Sequence, residues 1–291
     1  MRRAALLQPR AMGDRNKATL IGFGAVLLWS ALALMTAAAS REPPFELAAL
    51  TFAIGGVAGA IYAAARGRLA ALKQPGIVWL VGVGGLFGYH ALYFAALRAA
   101  PPAQASLVAY LWPLLIVLFS ALLPGERLRL KHVVGAGLGF CGAALLLVDK
   151  FGDARPGFGL LLALGCALVW ASYSLASRFL KATPTEAVAG FCLVTAALAA
   201  LCHALFETTI WPASAAEVAA IVGLGLGPVG LAFYLWDFGV KRGDIRLLGV
   251  GAYAAPVLST LLLVATGFAP LTASLGLACA AIVGGAYVAA R

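Results

Sequence analysis

Tyr110-Leu111-Trp112-Pro113 stands inside one apolar stretch, and Tyr253-Ala254-Ala255-Pro256 stands inside another, 143 positions further on. Two other landmarks keep nearly the same register. Trp29-Ser30 returns as Trp170-Ala171-Ser172 after 141 positions, and Arg98 is matched by Lys241 after 143. Similar offsets at separated landmarks imply two halves of like build. An internal repeat in an apolar chain points to a transporter before it points to an enzyme.

The 291 residues are 63% hydrophobic and 11% charged. Soluble domains average about 45–50% and about 25%. So few charges cannot cover that much apolar surface in water, so the chain is expected to be an all-α polytopic membrane protein whose solvent is the lipid bilayer. The five cysteines, Cys141, Cys166, Cys192, Cys202 and Cys279, fall in apolar stretches without a CxxC pair. They read as small packing residues, neither disulfides nor metal ligands. The net charge of +10 comes from basic residues in short loops, a topology signal, and gives no reason to expect nucleic acid.

Apolar runs of about 18–23 residues can be counted along the chain. They fall near 19–39, 46–65, 76–96, 103–123, 131–148, 158–179, 186–206, 216–237, 246–266 and 271–290. Ten transmembrane helices follow, five per repeat, with divisions at 1–18, 19–150 and 151–291. A cleaved signal is not expected, because a full-length span follows the basic residues of the N-terminal segment. Met1 to Ala11 reads as a loose extension, and Met12 as an alternative start. With the N-terminus inside, 17 of the 21 Lys and Arg residues fall on the cytoplasmic side, and Arg41, Arg98, Lys150 and Arg155 on the other. That bias predicts both termini in the cytoplasm. Five spans per half is an odd number, so the second half must enter the membrane from the opposite side. The two five-helix repeats are therefore expected to be inverted.

Inverted repeats place a substrate near mid-membrane at their interface, on bent or interrupted helices. Pro113 and Pro256, at matched positions, are the expected breaks, since each lacks an N–H and clashes with the carbonyl four residues earlier. Around them gather Trp29, His90, Tyr93, Tyr110, Trp112, Trp170, Tyr173, Trp236 and Tyr253. Aromatic residues near span ends, here Trp79, Trp211 and Tyr287, read as interfacial anchors. Those well inside suit a cavity that holds an organic solute. His90 has a bland reading as a histidine satisfied by neighbouring helices. An intramembrane ionisable group that shares a helix face with Tyr93 favours a place on the cavity wall. His203 lies near a span end and reads as interfacial.

No Asp or Glu stands at the centre of a span. Asp237 closes the eighth span beside Lys241, where a local ion pair is expected. The lack of a mid-span carboxylate favours facilitated diffusion or exchange, while His90 leaves proton coupling open. Small residues four apart, Gly55/Gly59, Gly84/Gly88, Gly135/Gly139 and Gly223/Gly227, predict close helix packing. Two GxGxxG matches lie inside spans with no preceding strand and are not dinucleotide sites. Enzyme motifs are missing, so no catalytic residue, metal or cofactor is expected. An intramembrane hydrolase using Ser106 or Ser120 with His90, or a membrane scaffold, is the alternative outside transport.

These residues resemble the EamA type of the drug/metabolite transporter superfamily over about residues 18–290. Trp29-Ser30, Trp170-Ala171-Ser172, Tyr110-Leu111-Trp112-Pro113 and Pro124-Gly125-Glu126 carry the likeness. The second half departs from it at Gly267-Phe268-Ala269-Pro270, which lacks the glutamate. Gly88-Tyr89-His90-Ala91-Leu92-Tyr93 and the aromatic set are similar to bacterial inner-membrane exporters of aromatic amino acids. The resemblance implies a basket-like fold, a central cavity between the repeats, and export of amino acids by alternating access. The site would be made by Trp29, His90, Tyr93, Tyr110, Trp112, Pro113, Trp170, Tyr173, Trp236, Tyr253 and Pro256, in a protein expected to be a monomer. Export of other metabolites or drugs on the same fold is the alternative.

Overall fold

The computed structural model describes residues 2–39, 41–146, 157–267 and 270–291, with side chains from Gly13 onward except that of Ala37. Lys150, Arg155, the boundary between the repeats, and Phe268-Ala269 lie outside the described residues. Among the described residues every regular element is helical. In a medium without water a helix satisfies its own backbone polar groups, so apolar runs of this length fold this way.

The first span is α1 (Arg2–Ser30) and α2 (Leu32–Ala38), joined at Ala31; the second is α3 (Pro44–Ala65) and the third α4 (Gly76–Ala99). α5 (Pro102–Ala109) and α6 (Trp112–Phe119) make the fourth, and α7 (Leu130–Leu145) the fifth. The second half runs α8 (Phe158–Phe179), α9 (Ala187–Phe206), then α10 (Ala215–Leu226) and α11 (Ala232–Arg242) as the eighth span. α12 (Ile245–Ala252) and α13 (Ala254–Ala265) form the ninth, and α14 (Ala273–Ala290) the tenth. Nine of these spans are long and apolar enough to cross a membrane, and α7 is a shorter apolar helix. The N-terminal residues that read as a loose extension are instead helical from Arg2.

The helix pairing is that of two inverted repeats. The first span lies against the eighth and the sixth against the third, while second pairs with seventh, fourth with ninth and fifth with tenth. Exchanging each span for its equivalent in the other half leaves this set unchanged, as a pseudo-two-fold axis in the membrane plane requires.

The interruptions follow from local chemistry. α5 ends at Ala109 and α12 at Ala252, each four residues before a proline, at the carbonyl its ring displaces. The Leu114 N–H donates to the Tyr253 hydroxyl at 3.2 Å, so the broken fourth span is tied to the broken ninth. The eighth span breaks differently, through a π-turn over Gly227–Leu231 with Pro228 in its first turn. The third span, its equivalent, is unbroken.

Close approach depends on glycine at particular places. A Cβ on Gly55 would lie 2.7 Å from the Gly230 Cα, one on Gly135 would meet the Gly285 carbonyl, and one on Gly139 the Tyr253 ring. Gly84 faces open space instead, and the third span makes its contacts through Gly82 on Phe191 and Gly85 on Tyr173. Trp79 is not only an anchor near a span end: its ring packs on Gly190 and on Phe191, with centroids 5.5 Å apart. Trp211 and Tyr287 are exposed. Gly55→Leu should cost about 1–3 kcal/mol, as overpacking does, and lower the melting temperature of the purified protein in detergent. Gly84→Leu should leave it unchanged, and equal shifts for both would contradict this packing.

Candidate functional site

At the crossing of the halves four indole rings meet. Trp29 from α1, Trp112 from α6, Trp170 from α8 and Trp236 from α11 make all six possible pairs, with ring centroids 5.2–6.5 Å apart. Phe233 adds to the cluster at 5.7 Å from Trp170 and stacks on Phe52 at 5.5 Å. Four of the six pairs set a ring edge on a ring face, as the quadrupoles of the indoles favour. The Trp29 Nε1–H donates to the Pro228 carbonyl of the π-turn at 3.1 Å, and the Trp236 Nε1–H to Ser174 Oγ at 3.1 Å.

Above this floor lies a cavity of about 820 Å³. Its walls are α2, the outer ends of α3 and α4, α5, the end of α7, the π-turn and α13. Arg15 and Trp29 lie on one helix 14 residues apart, about 21 Å at 1.5 Å per residue. The cavity therefore opens on the face opposite the N-terminus of α1. Trp29, His90, Tyr93, Tyr110, Trp112, Trp170 and Pro256 line it. Pro113, Tyr173, Trp236 and Tyr253 do not, and each is placed elsewhere for a physical reason. Pro113 is buried against Gly249, Tyr173 packs on Gly85, Trp236 lies beneath Trp29 and Trp112, and Tyr253 accepts the Leu114 N–H.

The polar groups on the wall have defined roles. The His90 Nδ1 lies 2.7 Å from the Leu86 carbonyl. A carbonyl only accepts, so Nδ1 carries a proton, and when the ring is neutral Nε2 is left as an acceptor. Tyr93 and Ser106 share a hydrogen bond of 3.0 Å, and the Thr260 hydroxyl donates to the Pro256 carbonyl. The Trp170 Nε1–H is buried without a partner among the described residues. Glu42, in the link between α2 and α3, lines the cavity with neither carboxylate oxygen hydrogen-bonded among the described residues. No Lys or Arg is on the described wall. The cavity thus offers aromatic faces, hydroxyl and indole donors, and one carboxylate.

The sequence reading missed several of these. Tyr89 lines the wall, stacks on Tyr93 at 6.0 Å and contacts Trp170 at 5.3 Å; its i,i+4 spacing from Tyr93 was the available signal. Phe52 and Phe233 carry no mark that separates them from ordinary core phenylalanines. Glu42 lies outside every apolar run, and only the fold brings its loop to the cavity.

On the opposite face charges close the molecule. Glu126 accepts from Arg15 of α1 at 2.9 Å, Arg178 of α8 at 3.0 Å and Arg246 of α12 at 3.0 Å. Asp244, which caps α12, also meets Arg15 and Arg246. Burial pushes the Asp244 carboxyl up, but the Arg246 hydrogen bond and the Arg15 charge outweigh this and hold it below the usual carboxylate range, so it is ionised at neutral pH. Arg178 also donates to the carbonyls of Val240, Lys241 and Gly243. On the cavity face Glu207 receives the N–H groups of Phe45 and Glu46 at the start of α3, with Arg98 and His203 beside it.

The profile described as the EamA-like transporter family matches residues 16–148 and again residues 157–291. A protein of Ancylobacter novellus named aromatic amino acid exporter YddG is 60% identical over 283 residues, 95% of this chain and 98% of that one. Its namesake in Salmonella typhimurium is 26% identical over 276 residues, 89% of this chain and 92% of the other. A solved crystal structure 60% identical in sequence superposes with a TM-score of 0.90, covering 94% of this chain and 98% of that one.

Removing one partner from a buried charge network costs about 3–5 kcal/mol, against 0–1 for an exposed pair. Glu126→Gln should therefore lower the melting temperature of the purified protein by several degrees. Arg68→Ala, which breaks the exposed pair with Glu186, should change it little. The reverse order would show that the Glu126 cluster does not hold this face closed.

Proposed function

Since the chain belongs to the EamA-like transporter family, we propose that it is a secondary transporter that exports amino acids, aromatic ones among them, across the bacterial inner membrane. It works as a monomer with both termini in the cytoplasm, and by alternating access between two repeats spanning 19–150 and 151–291. The observation that carries this reading is the cavity at the seam, open to one face and floored by four indoles. Its volume of about 820 Å³ falls in the range of small-molecule sites. In this reading the ring of the substrate rests on Trp29, Trp112 and Trp170. Tyr89, His90, Tyr93 and Tyr110 border it, and Pro256 closes the side. The indole N–H of Trp170 and the hydroxyls of the wall meet its carboxylate, and Glu42 draws its ammonium group toward the mouth. Pro113, Tyr253 and Trp236 support the lining from behind.

With the cavity facing the periplasm, the Glu126 cluster closes the cytoplasmic side. A carrier of this kind exchanges solute or lets it run down its gradient. A second reading, export of cationic metabolites or drugs coupled to protons, is favoured by Glu42 alone, a carboxylate with no Lys or Arg beside it on the described cavity wall.

In proteoliposomes preloaded with phenylalanine, the purified protein should drive counterflow of labelled phenylalanine, and tryptophan should compete. Absence of amino-acid counterflow, with transport of a cationic dye instead, would replace the first reading by the second. His90→Ala and Trp112→Phe should each raise KM about fivefold, as the loss of about 1 kcal/mol of binding does. Unchanged kinetics in both would remove these residues from the site.

A further inference from the structure

A second, closed site lies on the other side of the indole floor, and the internal repeat identifies it. On the walls of the open cavity stand Leu32, Thr36, Ala39 and Glu42 of the first span and its following link, Phe94 of the third span, and Leu224 of the eighth. The offset of 141 carries the first four to Tyr173, Ser177, Leu180 and Thr183. The offset of 143 relates Phe94 to Asp237 and Leu224 to Val81. All six of these counterparts line one void, of about 10 Å³, on the face that the charge cluster closes. A space of that size holds about one water-sized sphere. Sequence register and cavity geometry, which are independent, thus agree on six of the residues that line the void.

The void is lined as a polar site, although it lies in the interior of a membrane protein. The Asp237 carboxylate is 2.8 Å from the Lys241 ammonium and accepts the Thr185 hydroxyl at 2.8 Å. Lys241 also donates to the Thr183 carbonyl at 3.0 Å. Both charged side chains are at least nine-tenths buried. The Tyr173 hydroxyl is buried beside Ser177 and Asp237 and makes no hydrogen bond of ordinary geometry. A buried ion pair is rarely more stabilising than apolar residues of the same volume, and a buried orphan hydroxyl costs free energy outright. Packing alone does not account for either.

We propose that this void is the collapsed form of an inward-facing substrate site, in which the Asp237 carboxylate and the Tyr173 hydroxyl receive a primary ammonium group. With the cavity open and the void closed, as in the structure, the Lys241 ammonium occupies that position as a tethered stand-in. When the repeats exchange conformations the void opens as the outer cavity closes, and the ammonium of an incoming amino acid takes the place of Lys241. The inference rests on the alternating-access reading above. It gives the two faces of the carrier different anchors: Glu42 outside, from the first repeat, and Asp237 inside, from the second.

Asp237→Asn would strip a buried pair and could unfold the protein, so the test uses milder variants. In a background with the native cysteines replaced, Ser177→Cys should react with a membrane-impermeant maleimide in inside-out vesicles. It should not react in right-side-out ones, and phenylalanine should slow the reaction. Tyr173→Phe loses only a hydroxyl that makes no hydrogen bond of ordinary geometry among the described residues. It should weaken competition by phenylalanine from the cytoplasmic face about tenfold or more, the worth of one hydrogen bond to a charged group, and leave competition by 3-phenylpropionate, which has no ammonium, unchanged. If phenylalanine counterflow proceeds while Ser177→Cys stays unreactive and Tyr173→Phe competes normally, the inner site is wrong and the exporter reading stands. If the unaltered protein shows no counterflow of any amino acid, both fall.

Discussion

The mutual packing of Trp29, Trp112, Trp170 and Trp236 is the contact on which the rest of the arrangement depends. Two of these rings come from the first repeat and two from the second, so the seam between the halves is made of indole. Between helices in lipid the hydrophobic effect supplies no drive, and association rests on close packing and on polar groups that find partners. Rings of this size fill the crossing, and two of their N–H groups are spent on fixed acceptors, Pro228 and Ser174. The rings leave an aromatic floor beneath the cavity.

The breaks in the spans exist in relation to that seam. Pro113 and Pro256 end α5 and α12 four residues upstream, and the freed backbone of the fourth span is taken up by the Tyr253 hydroxyl of the ninth. The eighth span carries a π-turn whose Pro228 carbonyl holds Trp29. Irregular backbone at membrane depth is thus partnered by the opposite repeat or lines the cavity, the two places where lipid permits it. The charges divide in the same way. The Glu126 cluster joins both repeats at one face, while the other face has an open cavity and Glu42, which has no hydrogen-bond partner among the described residues. One face is therefore held by a cluster in which three arginines converge on one glutamate, while on the other the Arg98–Glu207 pair leaves the cavity open.

Much of the fold was legible because lipid makes the code simple. Each apolar run became a helix or a pair of helices, nine of them long enough to cross a membrane, and the matched prolines gave two of the helix breaks. The odd number of spans per half required inversion, which the helix pairing shows. The site was legible only in part. Trp29, His90, Tyr93, Tyr110, Trp112, Trp170 and Pro256 reach the cavity, but Pro113, Tyr173, Trp236 and Tyr253 were drawn in by the same aromatic and proline signal and serve behind its lining. Mid-span position tells how deep a residue lies and not which way it faces. In water a helix is oriented by the contrast between its polar and apolar sides, and that contrast fades when lipid and core are both apolar. Gly84 failed as a packing residue for that reason, and Tyr89 was passed over.

By itself the sequence determined depth, number and symmetry: ten spans, two copies and their inversion. These follow from the length of apolar runs and the parity of their count, quantities that need no contact to be known. The tertiary structure alone decided which face of each helix looks inward, that Glu42 bends from a loop into the cavity, and that Arg15, Arg178 and Arg246 converge on Glu126. These are relations between residues up to 229 positions apart, as between Arg15 and Asp244. They are set by how helices cross, which no local pattern records.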